Sequence, residues 1–171
     1  MLEQKHLALL DEAKRRAAAE TDNMRACFEL LTLAGAIDRD CAFRLAPLRL
    51  SEGKFVLLFL LHGRSDGLSP HELADRAGVT RATVTGLLDG LERDGFIARQ
   101  SSLDDRRKIA ITLTDLGQKT AHDLFDKHSA WIASLFAGIT ADERQTLNRL
   151  LQRIWQNLNG ARQQDGPDAQ T

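Results

Sequence analysis

The sequence predicts a mainly α-helical fold that carries one small antiparallel β-hairpin. Three observations lead there. Only three prolines interrupt 171 residues rich in Ala, Leu, Glu and Arg, a composition of good helix formers. Apolar residues recur at helical spacing along most of the chain. One stretch, 96–113, instead shows the two-residue alternation of strands on either side of a charged loop.

Taken in order, residues 2–20 form an amphipathic helix with Leu2, Leu7, Leu9 and Leu10 as its apolar material. A second helix spans about 22–45, with Met24, Cys27, Leu31, Ala34, Ile37 and Cys41 along one stripe and Pro47 beyond its end. Ser51 caps a third, Glu52 to His62, stapled by Leu50 and Phe55. Its nearly unbroken apolar run from 55 to 61 marks a buried helix.

The next segment is the most informative. Ser69-Pro70-His71-Glu72 is a capping box, in which Ser69 accepts from the Glu72 backbone N–H and the Glu72 carboxylate reaches back. Pro70 fills the first helical position, where its missing donor costs nothing. Leu68 and Leu73 staple this start, and Gly78 supplies the left-handed residue that ends the helix. Thr80 caps a second helix, flanked by a Val79–Val84 staple, whose Val84, Leu87, Leu88 and Leu91 point inward while small Ala74 permits a close crossing. Its outer face carries Ala82, Thr85, Gly86 and Asp89, with Arg81 and Thr83 in the first turn. Small residues permit close approach to a surface, and a threonine offers a hydroxyl and a methyl to a phosphate, a base edge or a thymine.

After Gly95, residues 96–100 and 109–113 read as paired strands, joined by Ser101-Ser102-Leu103-Asp104-Asp105-Arg106-Arg107-Lys108. Two helices at a tight turn followed by such a hairpin make a winged helix-turn-helix, whose second helix lies in a DNA major groove. Three successive cations at a hairpin tip suit phosphates or a narrow A·T-rich minor groove. The expected DNA-contacting set is Ser69, Thr80, Arg81, Ala82, Thr83, Thr85, Gly86, Arg106, Arg107 and Lys108. Asp105 and Arg99 are expected to orient the wing, with Asp104 or Asp105 pairing to Arg99 or Arg81.

Thr114 caps a long helix to about Ala137 that holds Leu124, Phe125, Trp131, Ile132, Leu135 and Phe136. Thr140 and Glu143 form another capping box. The final helix then presents Leu147, Leu150, Leu151, Ile154, Trp155 and Leu158. These terminal helices carry more apolar surface than a small monomer needs. An internal core would account for the pattern; a two-fold dimer accounts for it better, because two winged helices read half-sites about 34–36 Å apart. The expected organisation is an extension helix at 1–21, a dimerisation helix at 22–50, the winged helix-turn-helix lobe at 51–114, C-terminal dimerisation helices at 115–158 and a disordered polar tail at 159–171.

Composition narrows the classes. The net charge is −1, and from Arg64 to Lys108 eight basic residues face eight acidic ones, so nucleic-acid binding must come from local placement rather than bulk charge. No apolar run reaches the ~20 residues of a membrane span and no leader is evident, so a cytoplasmic protein without a membrane partner is expected. Two cysteines make no disulfide framework. No phosphate loop, nucleophile elbow or metal motif is present, so no enzyme, cofactor or metal is expected. The histidines at 62, 71, 122 and 128 include no i, i+4 pair that would suggest zinc.

From Leu68 to Gly117 the chain resembles the MarR family of bacterial transcriptional regulators. The segment ELADRAGVTRATVTGLLDGLERDGFIAR, the DDRR tip and the ITLTDLG exit carry the resemblance, and Asp105-Arg106-Arg107 matches the family's Asp-x-Arg wing motif. With the flanking helices it extends over roughly 22–158. It implies a homodimeric repressor that binds double-stranded DNA at a pseudo-palindromic operator. It also implies a small effector, of the aromatic or phenolic acid class, lodged among the 22–45, 52–62 and 115–137 helices. Arg39, Arg44, Arg49 and His62 are the cations nearest such a cleft. Two alternatives stay open: a cysteine-based redox sensor, and a winged helix that binds protein rather than specific DNA. Against the first, this chain has no tyrosine to support a sensing thiol, and Cys27 and Cys41 read better as buried structural thiols.

Overall fold

A computed structural model describes residues 2–16, 19–101 and 109–164. The wing tip, with Asp104, Asp105, Arg106, Arg107 and Lys108, lies outside them. The fold is mainly helical with one two-stranded antiparallel sheet. In chain order the elements are α1 (Gln4–Arg15), α2 (Thr21–Leu45), α3 (Glu52–Leu61), α4 (Pro70–Ala77), α5 (Arg81–Arg93), β1 (Ile97–Ser101), β2 (Ile109–Leu113), α6 (Asp115–Leu135) and α7 (Ala141–Gln164).

The chain divides into two compact units, Met1–Phe125 and Asp126–Thr171. The first has a core of leucines drawn from four helices. Leu45 ends α2, Leu57, Leu58 and Leu61 come from α3, Leu73 from α4, and Val84, Leu88 and Leu91 from α5, each at most 1% exposed. Ile111 of β2, Ile97 of β1 and Leu124 of α6 close the same cluster. The apolar face of α5 thus points where its periodicity placed it, with Leu87 half-buried at the edge.

Local chemistry sets the joints. The Ser51 hydroxyl accepts from the Lys54 N–H at the start of α3. Thr114 donates to the Gly95 carbonyl at 2.7 Å and accepts from the Gly117 N–H at 3.0 Å, so one side chain ties the end of the recognition segment to the start of α6. The sheet pairs Ile97 with Leu113 through to Ser101 with Ile109. Leu68 adds a single bridge to Ile111, with N···O distances of 3.0 and 2.8 Å. Gly67, at φ 70°, makes this approach possible, because a Cβ there would strike the Ile111 carbonyl.

Several expectations need correction. The first helix stops at Arg15, and Leu7 and Leu9 are exposed; its docked face is His6, Leu10 and Ala13. The reason is a polar contact that apolar periodicity cannot register. His6 Nδ1 lies 3.1 Å from the Thr32 hydroxyl, and the ring stacks on Phe28 at 4.7 Å. Phe96 precedes β1 rather than opening it, and is buried. The third helix ends at Leu61, His62 taking an extended backbone, and Phe59 within it is 44% exposed. Val79, the outer half of the second staple, is 40% exposed. Cys27 is exposed and Cys41 half-buried, so Cys27 is not the buried thiol expected. Burial and nearby carboxylates push the Cys41 thiol above its ordinary value. Finally, α7 continues to Gln164, six residues into the stretch expected to be disordered; Ala161, Arg162, Gln163 and Gln164 are good helix formers that one Gly160 does not stop.

In the second unit, α6 ends near Leu135 and Gly138 turns the chain at φ 80°. Thr140 and Glu143 cap α7 reciprocally, at 2.8 Å in one direction and 3.3 Å in the other. Leu147, Leu150, Leu151, Ile154, Trp155 and Leu158 are all exposed along α7, from 36% to 64%. Among the described residues no helix is long and apolar enough to cross a membrane.

Candidate nucleic-acid interface

The site is built on α4 and α5. The capping box at Ser69 forms in full: Glu72 N–H donates to the Ser69 hydroxyl at 3.2 Å, and the Glu72 carboxylate accepts from the Ser69 N–H at 2.8 Å and its hydroxyl at 2.7 Å. Those bonds hold the Glu72 carboxyl below its ordinary range. They also engage the Ser69 hydroxyl, which both donates to the Glu72 carboxylate and accepts from the Glu72 N–H at the helix start. Gly78, at φ 66°, ends α4 and admits the turn. Thr80 then caps α5 by accepting from the Thr83 N–H at 3.1 Å.

Beyond that cap, Arg81, Ala82, Thr83, Thr85, Gly86 and Asp89 are all exposed, opposite the buried Val84, Leu88 and Leu91. Not every polar group there is equally available. The Thr83 hydroxyl is 2.8 Å from that of Thr80 and shares a hydrogen bond with it, and the Thr85 hydroxyl donates to the Arg81 carbonyl at 2.9 Å, which leaves the Thr85 oxygen free chiefly to accept. A Cβ at Gly86 would meet nothing within 4 Å, so the centre of the face is open space at backbone level.

Asp89 has a different part from the one its outward position suggests. Arg99 of β1 forms an ion pair with it and also reaches Glu92 at 3.3 Å. Arg99 therefore joins the root of the wing to the recognition helix. The expected pairing of Arg99 or Arg81 with Asp104 or Asp105 lies outside the described residues; among those described, Arg99 meets these helix acids and Arg81 lies beside His71. Neither pairing was legible in the sequence, because each joins different elements ten residues apart. A third tie comes from α3, where Lys54 Nζ donates to Asp94 at 2.6 Å.

The residues expected near an effector are spread over different surroundings. Arg44 is bound to Asp40 at 3.0 Å on α2. Arg49 stands in the left-handed region at φ 55°, where the chain turns between α2 and α3. Arg39 lies along α2 against Gly35. His62 stacks on His122 at 5.9 Å, close to a Phe59–Phe125 stack at 4.8 Å. A separate cleft of about 330 Å³, lined by Glu52, Gly53, Val56, Ala77, Val79 and Leu87, was not foreseen. Its walls come from three elements that only the tertiary structure brings together.

Helix α5 with its exposed polar face, anchored to a two-stranded wing, defines a winged-helix DNA-binding protein. Comparison with known proteins agrees. The MarR family model matches residues 50–109. The HTH-type transcriptional repressor YetL of Bacillus subtilis (strain 168) is 33% identical over 163 residues, covering 92% of this chain and 98% of that protein. The chain belongs to the MarR family, whose members are DNA-binding transcriptional regulators rather than enzymes. Among solved structures, Streptococcus pneumoniae FabT in complex with DNA is similar at a TM-score of 0.67 and 22% identity, over 81% of this chain and 99% of that one. CouR from Rhodococcus jostii RHA1 bound to p-coumaroyl-CoA is similar at 0.62 and 25% identity, over 75% and 90%.

Proposed function

We propose that this protein is a dimeric, ligand-responsive repressor that reads a pseudo-palindromic operator in the cytoplasm. The observation that carries the reading is the outer face of α5, where Arg81, Ala82, Thr83, Thr85 and Gly86 are exposed along one side of a helix whose other side is core. Arg81, Thr83 and Thr85 contact bases or phosphates, Ala82 and Gly86 admit close approach, and the Thr80 turn anchors the backbone. Arg106, Arg107 and Lys108 reach phosphates or the minor groove from the wing, which Arg99 steadies from its root and Asp105 from its tip.

The six exposed apolar side chains of α7 support the dimer, since a solvated seam of that length needs a partner. The effector is an aromatic or phenolic acid. Phe59, Phe125, His62 and His122 supply ring faces for it, Arg39, Arg49 and His62 are the candidate cations, and the CouR neighbour holds an aromatic acyl group. One observation favours thiol control as a second reading, the exposure of Cys27; release of DNA on peroxide by a Cys27→Ser variant would remove it.

The test of the recognition face is Gly86→Glu. The new side chain enters open space and gains up to ~1 kcal/mol of helix propensity, so the unfolding midpoint holds or rises. Affinity for a duplex selected by the parent protein from a random pool falls by about tenfold or more, because a carboxylate now stands where phosphate and base edges must come. Unchanged affinity would move the interface off α5.

A further inference from the structure

We propose that His71 is a positioning residue for DNA binding: its imidazole seats the Arg81 guanidinium against α4 and so decides where that cation meets the DNA. This rests on the reading of Arg81 as a DNA contact and adds what places it.

Arg81 Nη2 lies 3.3 Å from Nδ1 and 3.4 Å from Nε2 of His71. Nearly equal distances to two nitrogens on either side of the ring put the guanidinium over the imidazole face, where a cation is attracted to a neutral ring. Asp75, one helical turn beyond His71, has Oδ2 3.4 Å from Nδ1. This carboxylate flanks the ring on α4, on the same helix that carries His71. Among the described residues the His71 ring is the group against which the Arg81 guanidinium lies.

The local sequence makes such a seat necessary. Arg81 is the first residue of α5, where the helix dipole disfavours a cation, and the first turn holds no acid to compensate. A cation kept at a helix start against that preference points to use rather than stability. Left unseated, the long side chain would have to be ordered from many rotamers on binding.

Among the described residues, the charged groups around the ring are Asp75 and Glu72 on α4, with Arg76 acting on Glu72, and Arg81 from α5. Glu72 is already held by Ser69.

The test uses the full chain and a duplex selected by the parent from a random pool, with affinity by fluorescence anisotropy and base preference by repeated selection. His71→Ala should relax preference by about fivefold or more at the same half-site position as Arg81→Ala, and add nothing when combined with it. His71→Phe keeps a ring face, so it should retain the preference. The inference is overturned if His71→Ala selects the parent's sequence with the parent's affinity, or weakens binding equally in the Arg81→Ala background. If Arg81→Ala changes nothing, the reading of Arg81 falls as well; if only His71→Ala changes nothing, this inference falls alone.

Discussion

Lys54 reaches Asp94 by crossing the face of α5 at Gly90, where there is no side chain in its way. An ideal Cβ at Gly90 would stand 2.7 Å from Lys54 Cε and 3.0 Å from Nζ, while the ion pair itself closes at 2.6 Å. The bond fastens α3 to the residue that ends the recognition helix. It also holds the Asp94 carboxyl below its ordinary range, the Lys54 hydrogen bond being the largest cause. A carboxylate whose folded value is depressed stabilises the fold above its unfolded value near ~3.9, and that contribution is lost as pH falls through the lower folded value. In a Gly90→Ala variant the displaced group is the end of a flexible side chain, so the helix gains up to ~1 kcal/mol in propensity. Asp94 should then titrate nearer its ordinary value, by carboxyl-carbon NMR, with little loss in unfolding midpoint. A large fall in that midpoint would show that Lys54 cannot move aside.

Gly117 makes the opposite case. A Cβ there would fall on the Phe96 carbonyl oxygen, and both chains are held in place by the Thr114 bonds. Gly117→Ala should therefore destabilise by ~1–3 kcal/mol despite the better helix former. Chemical denaturation measures it, and a stabilised variant would contradict the packing between α6 and the approach to β1.

The wing prediction comes from sequence alone. Arg107→Ala should weaken DNA binding and lower the slope of log affinity against log salt by about one phosphate contact. Anisotropy titrations across a salt series check it. An unchanged slope and affinity would take Arg107 out of the interface.

Ile154 and Leu150 are 50% and 48% exposed on α7. Glutamate at either position touches no core of this chain and keeps the helix, so circular dichroism should stay near the parent's. If α7 is the dimer seam, two such carboxylates facing each other across a two-fold axis should give monomers by light scattering and loss of operator affinity. Hydrophobic side chains of this size are worth ~1.5–3 kcal/mol each on full burial. A variant that stays dimeric would place the interface elsewhere.

How much of this was legible in the chain follows from the range of each interaction. The capping boxes at Ser69 and Thr140, the Thr80 cap, the Gly78 turn, the inward row Val84-Leu88-Leu91 and the register-bearing strand Ile109–Leu113 are set by residues within a few positions of one another. Backbone hydrogen bonding and helical period act at that distance, and the sequence by itself determined them. The exposed seam of α7 belongs here too, because a helix wheel needs no neighbour. The tertiary structure alone decided which charges meet: Arg99 with Asp89 and Glu92, Lys54 with Asp94 over Gly90, Arg81 with His71, and His6 with Thr32 and Phe28. Each of these joins residues 7 to 40 apart on different elements or across turns of helix. Composition and spacing name the candidate charges, but a charged side chain has several possible partners, and only the packing of the leucine core brings one of them within reach.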